Sequence, residues 1–578
     1  MTKEEVAAHL ELIGTLMELR GDDAFRTKAY HGAARTIEQL EGDFDTLIAT
    51  GKLAKVRGIG ETLREVILSL AKTGTADVLE ELRAVTPPGL IAMLRIPGLG
   101  PKKVRALNTS LGIDSLETLR VACIGGKVAG LKGFGEKTQQ KILDGLTFIE
   151  SVGERVRIDQ SLPLGLMLLE RIRALPGVLR AELCGSLRRR RETSKDIDLL
   201  VAAEDSAPIM QAFCTLPEVR HIVGQGETKS SIVAEWVTHG HRITLGADLR
   251  VVKPDQFASA LVHFTGSKEH NIRLRQLATD RGWKLNEYEL AGPNSRVACE
   301  TEADLYAALG LDWIAPELRE DTGEIEAATQ HALPKLVEAS DIRGVFHNHT
   351  TYSDGVNTLE EMALAAKALG FEYLGIGDHS QSLTVARGLS PERVRHQIAE
   401  IDRLNQQLDG FRILKGIECD ILKNGDLDYD DDLLAELDYV VISVHTYFDL
   451  PIEEQTARIC KALRHPATTM LGHATGRLLL RRDGYKVNLD EVLQTAAEHR
   501  KMIEINAQPS RLDLDWIYVK RAKALGIPLV INPDAHSTDE LALFRYGVNV
   551  ARRGWLTPQN VFNTLPLPAI LQSLRIPA

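Results

Sequence analysis

Over the first 150 residues apolar positions recur at helical spacing between short glycine turns, beginning with Val6-Ala7-Ala8-His9-Leu10 and running through Leu19. Spacings of three and four predict helices, and almost no run alternates with period two. From about 155 to 315 the pattern becomes mixed, with strands expected at 181–184, 197–202, 231–237 and 241–252. Residues 316–340 are acidic and bounded by Pro316 and Pro334, and from Arg343 onward short apolar strands alternate with helices. That alternation predicts a parallel α/β architecture. Six segments are expected: helical 1–85 and 86–150, α+β 151–260 and 261–315, a linker at 316–340, and α/β 341–578.

A chain of 578 residues exceeds what one hydrophobic core can organise, so several compact units are expected. With 44% apolar and 26% charged residues and no low-complexity tract, most of it should be folded. The start is charged where a signal peptide needs an apolar core, and no run of about 18 apolar residues occurs. A soluble, cytoplasmic protein without a membrane partner is expected, with a monomer as its state. Cys123, Cys184, Cys214, Cys299, Cys419 and Cys460 lie far apart without a CxxC pair, and read as small buried hydrophobes.

The net charge of −11 is uneven: residues 51–200 hold 25 Lys and Arg against 17 Asp and Glu, whereas 301–340 hold 2 against 9. Phosphate binding needs a local basic face, so an acidic total permits a nucleic-acid partner. In the basic region three segments share the order Gly, apolar, Gly, helix: Gly58-Ile59-Gly60, Gly98-Leu99-Gly100 and Gly133-Phe134-Gly135. Ordinary helical corners use glycine too, but in a helix-hairpin-helix such a pair turns the backbone so that amides opening the next helix point at a phosphate. Three repeats favour duplex binding, and Lys102-Lys103 add charge after the second turn.

Cys184-Gly185-Ser186-Leu187-Arg188-Arg189-Arg190-Arg191 is followed by Asp196-Ile197-Asp198. The Gly-Ser pair and the arginines offer amides, a hydroxyl and guanidinium forks to a triphosphate. Asp196 and Asp198, two apart on a strand, present both carboxylates to one face, and Asp248 on another expected strand could complete a two-metal site. A solvated strand end is the plainer reading of D-x-D; the preceding phosphate-type loop argues for metal.

In the C-terminal part, strand patterns end on metal-binding residue types: His347 and His349, Asp378-His379, Glu418, His445, His473, then Asp534 and His536. Parallel barrels place their chemistry at that face. His347-x-His349 and Asp534-x-His536 each put two donors on one side of a strand.

Residues 1 to about 315 resemble the X-family DNA polymerases: the palm motif is followed by Phe264-Thr265-Gly266-Ser267, Asn271 and Gly282-Trp283-Lys284-Leu285-Asn286-Glu287-Tyr288. Residues 341 to about 570 resemble a PHP (polymerase and histidinol phosphatase) domain, whose first motif looks like His347-Asn348-His349-Thr350-Thr351-Tyr352-Ser353-Asp354-Gly355. The chain is similar to a bacterial-type X-family polymerase with a C-terminal PHP domain. The resemblance implies an all-α helix-hairpin-helix region, an α+β nucleotidyltransferase palm with a thumb, and a distorted (β/α)7 PHP barrel. It makes Asp196, Asp198 and Asp248 the ligands of two Mg2+ or Mn2+ ions, with Asp248 helping to deprotonate the primer 3'-hydroxyl. Ser186 and Arg189 would hold the triphosphate, Phe264, Gly266 and Asn271 line the incoming nucleotide, and Arg275 face the template. For the barrel it implies up to three metals, Mn2+, Zn2+ or Fe, on His347, His349, Asp354, His379, Glu418, His445, His473, Asp534 and His536. Glu418 would bridge two metals and take part in catalysis, between the His347, His349 and Asp534 group and the His445 and His473 pair.

Two positions depart from the family. Val66 stands where its lyase members carry a Schiff-base lysine, so lyase chemistry is not expected, and His263 replaces an aromatic residue beneath the sugar. The leading expectation is a repair polymerase that fills gaps in primed DNA from dNTPs, joined to a metal-dependent 3'-5' exonuclease, with abasic-site cleavage and 3'-phosphatase action open to the same centre. The alternatives are a polymerase tethered to a small-molecule phosphatase of the histidinol-phosphate kind, and a DNA-structure-binding module with vestigial catalysis.

Overall fold

The computed structural model describes the chain except residues 1–2, 39–43, 50–52, 54–55, 57, 95, 97–98, 153–154, 239–240, 293–294 and 576–578. It divides into two compact units, Met1–Arg155 with Ala234–Leu245, and Val156–Val233 with Gly246–Ala578.

The first 155 residues hold no strand among those described. In helix Lys3–Arg20, Val6, Leu10, Ile13 and Met17 recur at helical spacing and are fully buried, which ties this helix into the core with Ile67, Leu70, Met93 and Leu107. Helix Pro101–Leu111 starts on a proline whose missing N–H costs nothing there, and ends at Gly112 in the left-handed region (φ 66°).

Val156 opens the mixed part. Five strands, β1 (Arg180–Leu183), β2 (Asp196–Ala202), β3 (Val219–Gln225), β4 (Lys229–Thr238) and β5 (His241–Val252), form a sheet in the order β1-β2-β5-β4-β3. The expected strands at 181–184, 197–202, 231–237 and 241–252 are all present, each within about two residues. β3 was not expected: nearly all its residues are exposed, so it shows no apolar alternation.

Residues 316–340, expected as a linker, are folded. They form the turn Pro316–Leu318 and helix Glu324–Thr329, and bury Leu318, Ile325, Ala328 and Leu336 against Leu274 and Leu305. Their acidic side chains meet basic partners from distant segments. Glu317 accepts from Arg552 (2.8 Å), Glu320 from Arg189 (3.2 Å) and Arg553 (3.3 Å), and Glu324 pairs with His270 (2.7 Å).

The barrel is built from parallel strands: β6 (Gly344–Asn348), β7 (Tyr373–Ile376), β8 (Arg412–Leu414), β9 (Gly416–Asp420), β10 (Tyr439–Ser443), β11 (Met470–Leu471), β12 (Met502–Asn506) and β13 (Leu529–Asn532). β6 pairs with β7 and β7 with β8; β9 to β13 pair in sequence order. Single bridges His379↔Glu418 and Asn348↔Ala535 close the ring. Since only Lys415 separates β8 from β9, the ring counts as seven strands, as the family resemblance implied. These strands are buried along nearly their whole length, which explains why they read as continuous apolar runs.

Candidate functional site

Parallel pairing of β2 with β5 sets Asp196 opposite Gly246 and Asp198 opposite Asp248. Burial first, then the charges of Asp196 and Asp248, push the Asp198 carboxyl up to about 7. Lys229 Nζ lies 2.6 Å from Asp248 Oδ2 and offsets part of the repulsion. Three converging carboxylates with only oxygen donors fit hard divalent cations. Gly185 adjoins them in the left-handed region (φ +59°), where a Cβ would sit 1.9 Å from Asp198 Oδ2.

The arginines after Ser186 face protein acceptors. Arg188 grips Glu302 with two bonds (2.7 and 2.8 Å) and donates to Thr265 Oγ1 (2.6 Å). Arg189 is buried, donates to the Thr265 carbonyl (2.5 Å) and meets Glu320; its Nη1 would lie 3.0 Å from a Cβ at Gly266. Asn271 donates to the His263 carbonyl (2.7 Å), and Arg275 Nη2 lies 3.1 Å from His263 Nδ1. These three line one small cavity with Ser259 and Asn286. Phe264 lines another, of about 150 Å³, with Arg250 (4.5 Å from its ring centroid), Lys253 and Tyr288. The structure thus brings Arg189 to Gly266 and Asn271 to Arg275, and sets Phe264 in a different cavity.

In the helical part, Gly58 and Gly133 adopt φ of 92° and 91°, and Gly135 adopts 65°. The residues between the paired glycines, Ile59, Leu99 and Phe134, are buried and anchor each turn. Gly60 and Gly100 precede their helices without side-chain caps, leaving first-turn amides uncapped by a side chain. Gly98 lies outside the described residues. Lys102 is exposed, 3.9 Å from Glu18, and Lys103 follows it on the same helix. Val66 is half-buried against the helical core.

At and just beyond the C-terminal ends of the barrel strands, with Asp354 on the turn after β6, all nine expected residues come together in one cluster. Glu418 is central: His379 Nδ1 lies 2.7 Å, His473 Nε2 2.9 Å, His347 Nε2 3.2 Å and His445 Nε2 3.4 Å from its oxygens. Three groups have the proximity of ligand sets, namely His347, His349 and Asp534; His379, Glu418 and His445; and His349, Asp354, His379 and His536. His347 Nε2, both nitrogens of His349, His379 Nδ1 and Glu418 Oε2 are buried without a hydrogen-bond partner. His379 Nδ1 and Glu418 Oε2 are close but misaligned for a hydrogen bond, as expected of lone pairs aimed at a shared cation. Orphaned buried atoms of this kind are costly unless an ion satisfies them, so the residues fit divalent metals. Burial opposes the charge on Glu418, yet the imidazoles of His445, His347 and His379 hold its carboxyl well below the usual range.

Several residues of the site were not singled out in the sequence. Glu504 on β12 accepts from His347 Nδ1 (2.6 Å), the His473 amide (2.7 Å) and Asn532 Nδ2 (2.9 Å). Asp420 takes the outer nitrogen of His445 (2.7 Å). Asp378, which the sequence did mark beside His379 as a strand-end metal-binding type, instead accepts from the amide and hydroxyl of Thr350 (2.8 and 2.7 Å) and from Gln397 (2.6 Å), fixing the turn between His349 and Asp354. A carboxylate inside an apolar strand was the available signal for Glu504.

Fold and site define a two-centre protein, with a carboxylate centre on a mixed sheet and a histidine-rich centre in a parallel barrel. Family models match residues 1–76 (helix-hairpin-helix domain), 90–147 (SAM-like helix-hairpin-helix tandem), 260–320 (DNA polymerase beta thumb) and 346–508 (PHP domain). The "DNA polymerase/3'-5' exonuclease PolX" of Bacillus subtilis is 38% identical over 569 residues, 98% of each chain. The chain belongs to the PolX family. Two probable phosphatases match more narrowly. That of Thermoanaerobacter sp. is 27% identical over 229 residues, 38% of this chain and 89% of its own; that of Caldicellulosiruptor saccharolyticus is 29% identical over 206, 34% and 81%. No helix among the described residues is long and apolar enough to cross a membrane.

Proposed function

We propose that this chain is a DNA polymerase and 3'-5' exonuclease of DNA repair, which fills short gaps from dNTPs at the sheet and removes 3'-terminal nucleotides at the barrel. The observation that carries the reading is the presence in one chain of two separate donor sets, Asp196, Asp198 and Asp248 on the sheet and the ring around Glu418 in the barrel. Divalent cations, Mg2+ or Mn2+ on the aspartates and Mn2+, Zn2+ or Fe in the barrel, would neutralise phosphate charge and acidify a bound water or hydroxyl. Ser186 and Arg189 are assigned to the triphosphate, Phe264, Gly266 and Asn271 to the incoming nucleotide, and Arg275 to the template. Gly58, Gly60, Gly98, Gly100, Gly133 and Gly135, with Lys102 and Lys103, are assigned to phosphates of gapped or primed DNA. The enzyme works as a cytoplasmic monomer.

The test compares Asp198→Asn and His347→Ala on gapped and recessed DNA. Asp198→Asn should stop nucleotide addition and spare degradation, and His347→Ala should do the reverse. Degradation surviving His347→Ala would remove the nuclease from the barrel. The phosphatase relatives favour a second reading, in which the barrel hydrolyses small phosphate monoesters. Rapid turnover of a small monoester with no attack on DNA ends would select it.

A further inference from the structure

The hydrolytic centre has an exposed aromatic residue at its rim that metal binding does not require. Two residues beyond His445 the chain enters the left-handed region at Tyr447 (φ 58°), whose residue is 53% exposed. Such a backbone is uncommon for a bulky residue and persists where the surroundings enforce it. Buried Arg458 donates to the carbonyls of Thr446 (3.1 Å) and Leu422 (2.8 Å), and so pins the preceding residue. The following residue, Phe448, turns inward: its ring lies 5.8 Å from that of Tyr485, with the Arg482 guanidinium 4.5 Å above it. The turn therefore buries part of one aromatic ring and holds the other in water beside a ligand strand.

The surroundings of Tyr447 are cationic. Lys423 Nζ lies 5.6 Å and Arg458 Cζ 5.7 Å from its ring centroid, and Lys423 makes no ion pair among the described residues. The loop after His473 brings exposed Arg481 and also Arg482, whose contacts are the Gly476 carbonyl (2.8 Å) and the Phe448 ring rather than a carboxylate. Arg511 places Nε 3.7 Å from Asp534 Oδ2, at the centre itself. Burial, then the charges of Arg511 and Arg481, lower the affinity of Arg482 for its proton, so these cations are close enough to repel. Mutually repelling cations beside a solvent-held aromatic face suit a ligand with repeated negative charge and flat rings. Single-stranded nucleic acid is bound in this way, by stacking on aromatics along a basic track.

We propose that Tyr447 is the stacking platform for a base at the 3' end of single-stranded DNA, with Lys423 and the Arg481, Arg482 and Arg511 cluster holding its phosphates. This rests on the barrel acting on DNA, and it names the feature that distinguishes a frayed DNA end from a small phosphate ester. The full-length protein tests it in two ways. Tyr447→Ala should raise KM for degradation of a single-stranded oligonucleotide about 5- to 140-fold, the range of one base stack, with kcat little changed. Hydrolysis of p-nitrophenyl phosphate should be unaffected, and Tyr447→Trp should restore the DNA KM. On the His347→Ala background, a 3'-terminal 2-aminopurine should be quenched with Tyr447 present and should brighten in Tyr447→Ala. A wild-type DNA KM for Tyr447→Ala, no change in quenching, or an equal loss on DNA and p-nitrophenyl phosphate would each overturn the proposal. Degradation that survives His347→Ala would instead overturn the function on which it rests.

Discussion

Arg553, 1% exposed on a helix that packs against the barrel, donates to Glu192 at 2.7 Å, and Glu192 belongs to the turn that follows the arginine run beside Asp198. Arg553 also meets Glu320 at 3.3 Å, and Glu320 meets Arg189 at 3.2 Å. A chain of alternating charges thus joins the triphosphate-type loop to the barrel through the acidic segment. Burial alone would push the Glu192 carboxyl up, but Arg553, then Arg477, more than reverses this and holds it low. Removing one member leaves an uncompensated buried charge. Arg553→Met should therefore cost about 3–5 kcal/mol of stability, and Arg553→Met with Glu192→Gln should recover part of it. Urea unfolding of the four chains of that cycle measures both.

Gly185→Ala should abolish nucleotide addition. The new methyl would meet Asp198 Oδ2 at 1.9 Å, at a backbone angle that side chains rarely adopt. The carboxylate must move away from Asp248, its partner across the strands. The barrel lies outside this effect, so DNA degradation should persist. Primer extension and 3' degradation on one DNA, assayed side by side, decide it.

How far the sequence carried is visible in these residues. Eight of the nine barrel residues were legible because a parallel barrel places its donors at strand ends, and each apolar strand marks where to look; Asp354, on the turn after β6, came only from the family resemblance. The sheet was legible where the strand is buried, as over most of β2, and illegible in β3, which is exposed along most of its length. Residues that act through others gave little local signal. Glu302 binds Arg188 from 114 positions away and Glu504 binds His347 from 157, and nothing near either carboxylate names its partner. The acidity of 316–340 was evident, but its cause, arginines and a histidine supplied from distant segments, required the tertiary fold.

Glu504→Gln should weaken metal retention in the barrel. The carboxylate takes the Nδ1 proton of His347 at 2.6 Å and the amide of His473 at 2.7 Å, so it fixes which nitrogen of His347 faces the centre. A neutral amide offers one acceptor oxygen in place of two, and loses the charge that orients the ring. Removal of such an outer partner typically costs about 10- to 100-fold in metal affinity or activity. Metal content after dialysis, measured by mass spectrometry, should fall together with degradation of DNA ends. Nucleotide addition should be unchanged. Full metal content in Glu504→Gln would show that packing alone orients His347.

The Glu302 carboxylate should contribute to acid sensitivity. It binds Arg188 at 2.7 and 2.8 Å and Arg319 at 2.8 and 3.1 Å, while Trp313 Nε1 lies 3.2 Å away. Burial opposes its ionisation, but the Arg319 charge and the bonds from both arginines win and hold it well below the ordinary value of 4.5. A carboxyl depressed in the folded state adds stability above its unfolded value and loses it as pH falls toward the folded one. The contribution should therefore be complete at neutral pH and decline below about pH 4.5. Glu302→Gln removes the ionisation while keeping the shape, so it should lower stability at pH 7 and flatten its decline in acid. Unfolding curves from pH 7 to pH 3 check the sign: a variant whose stability falls as steeply as the parent's would assign the acid response to other groups.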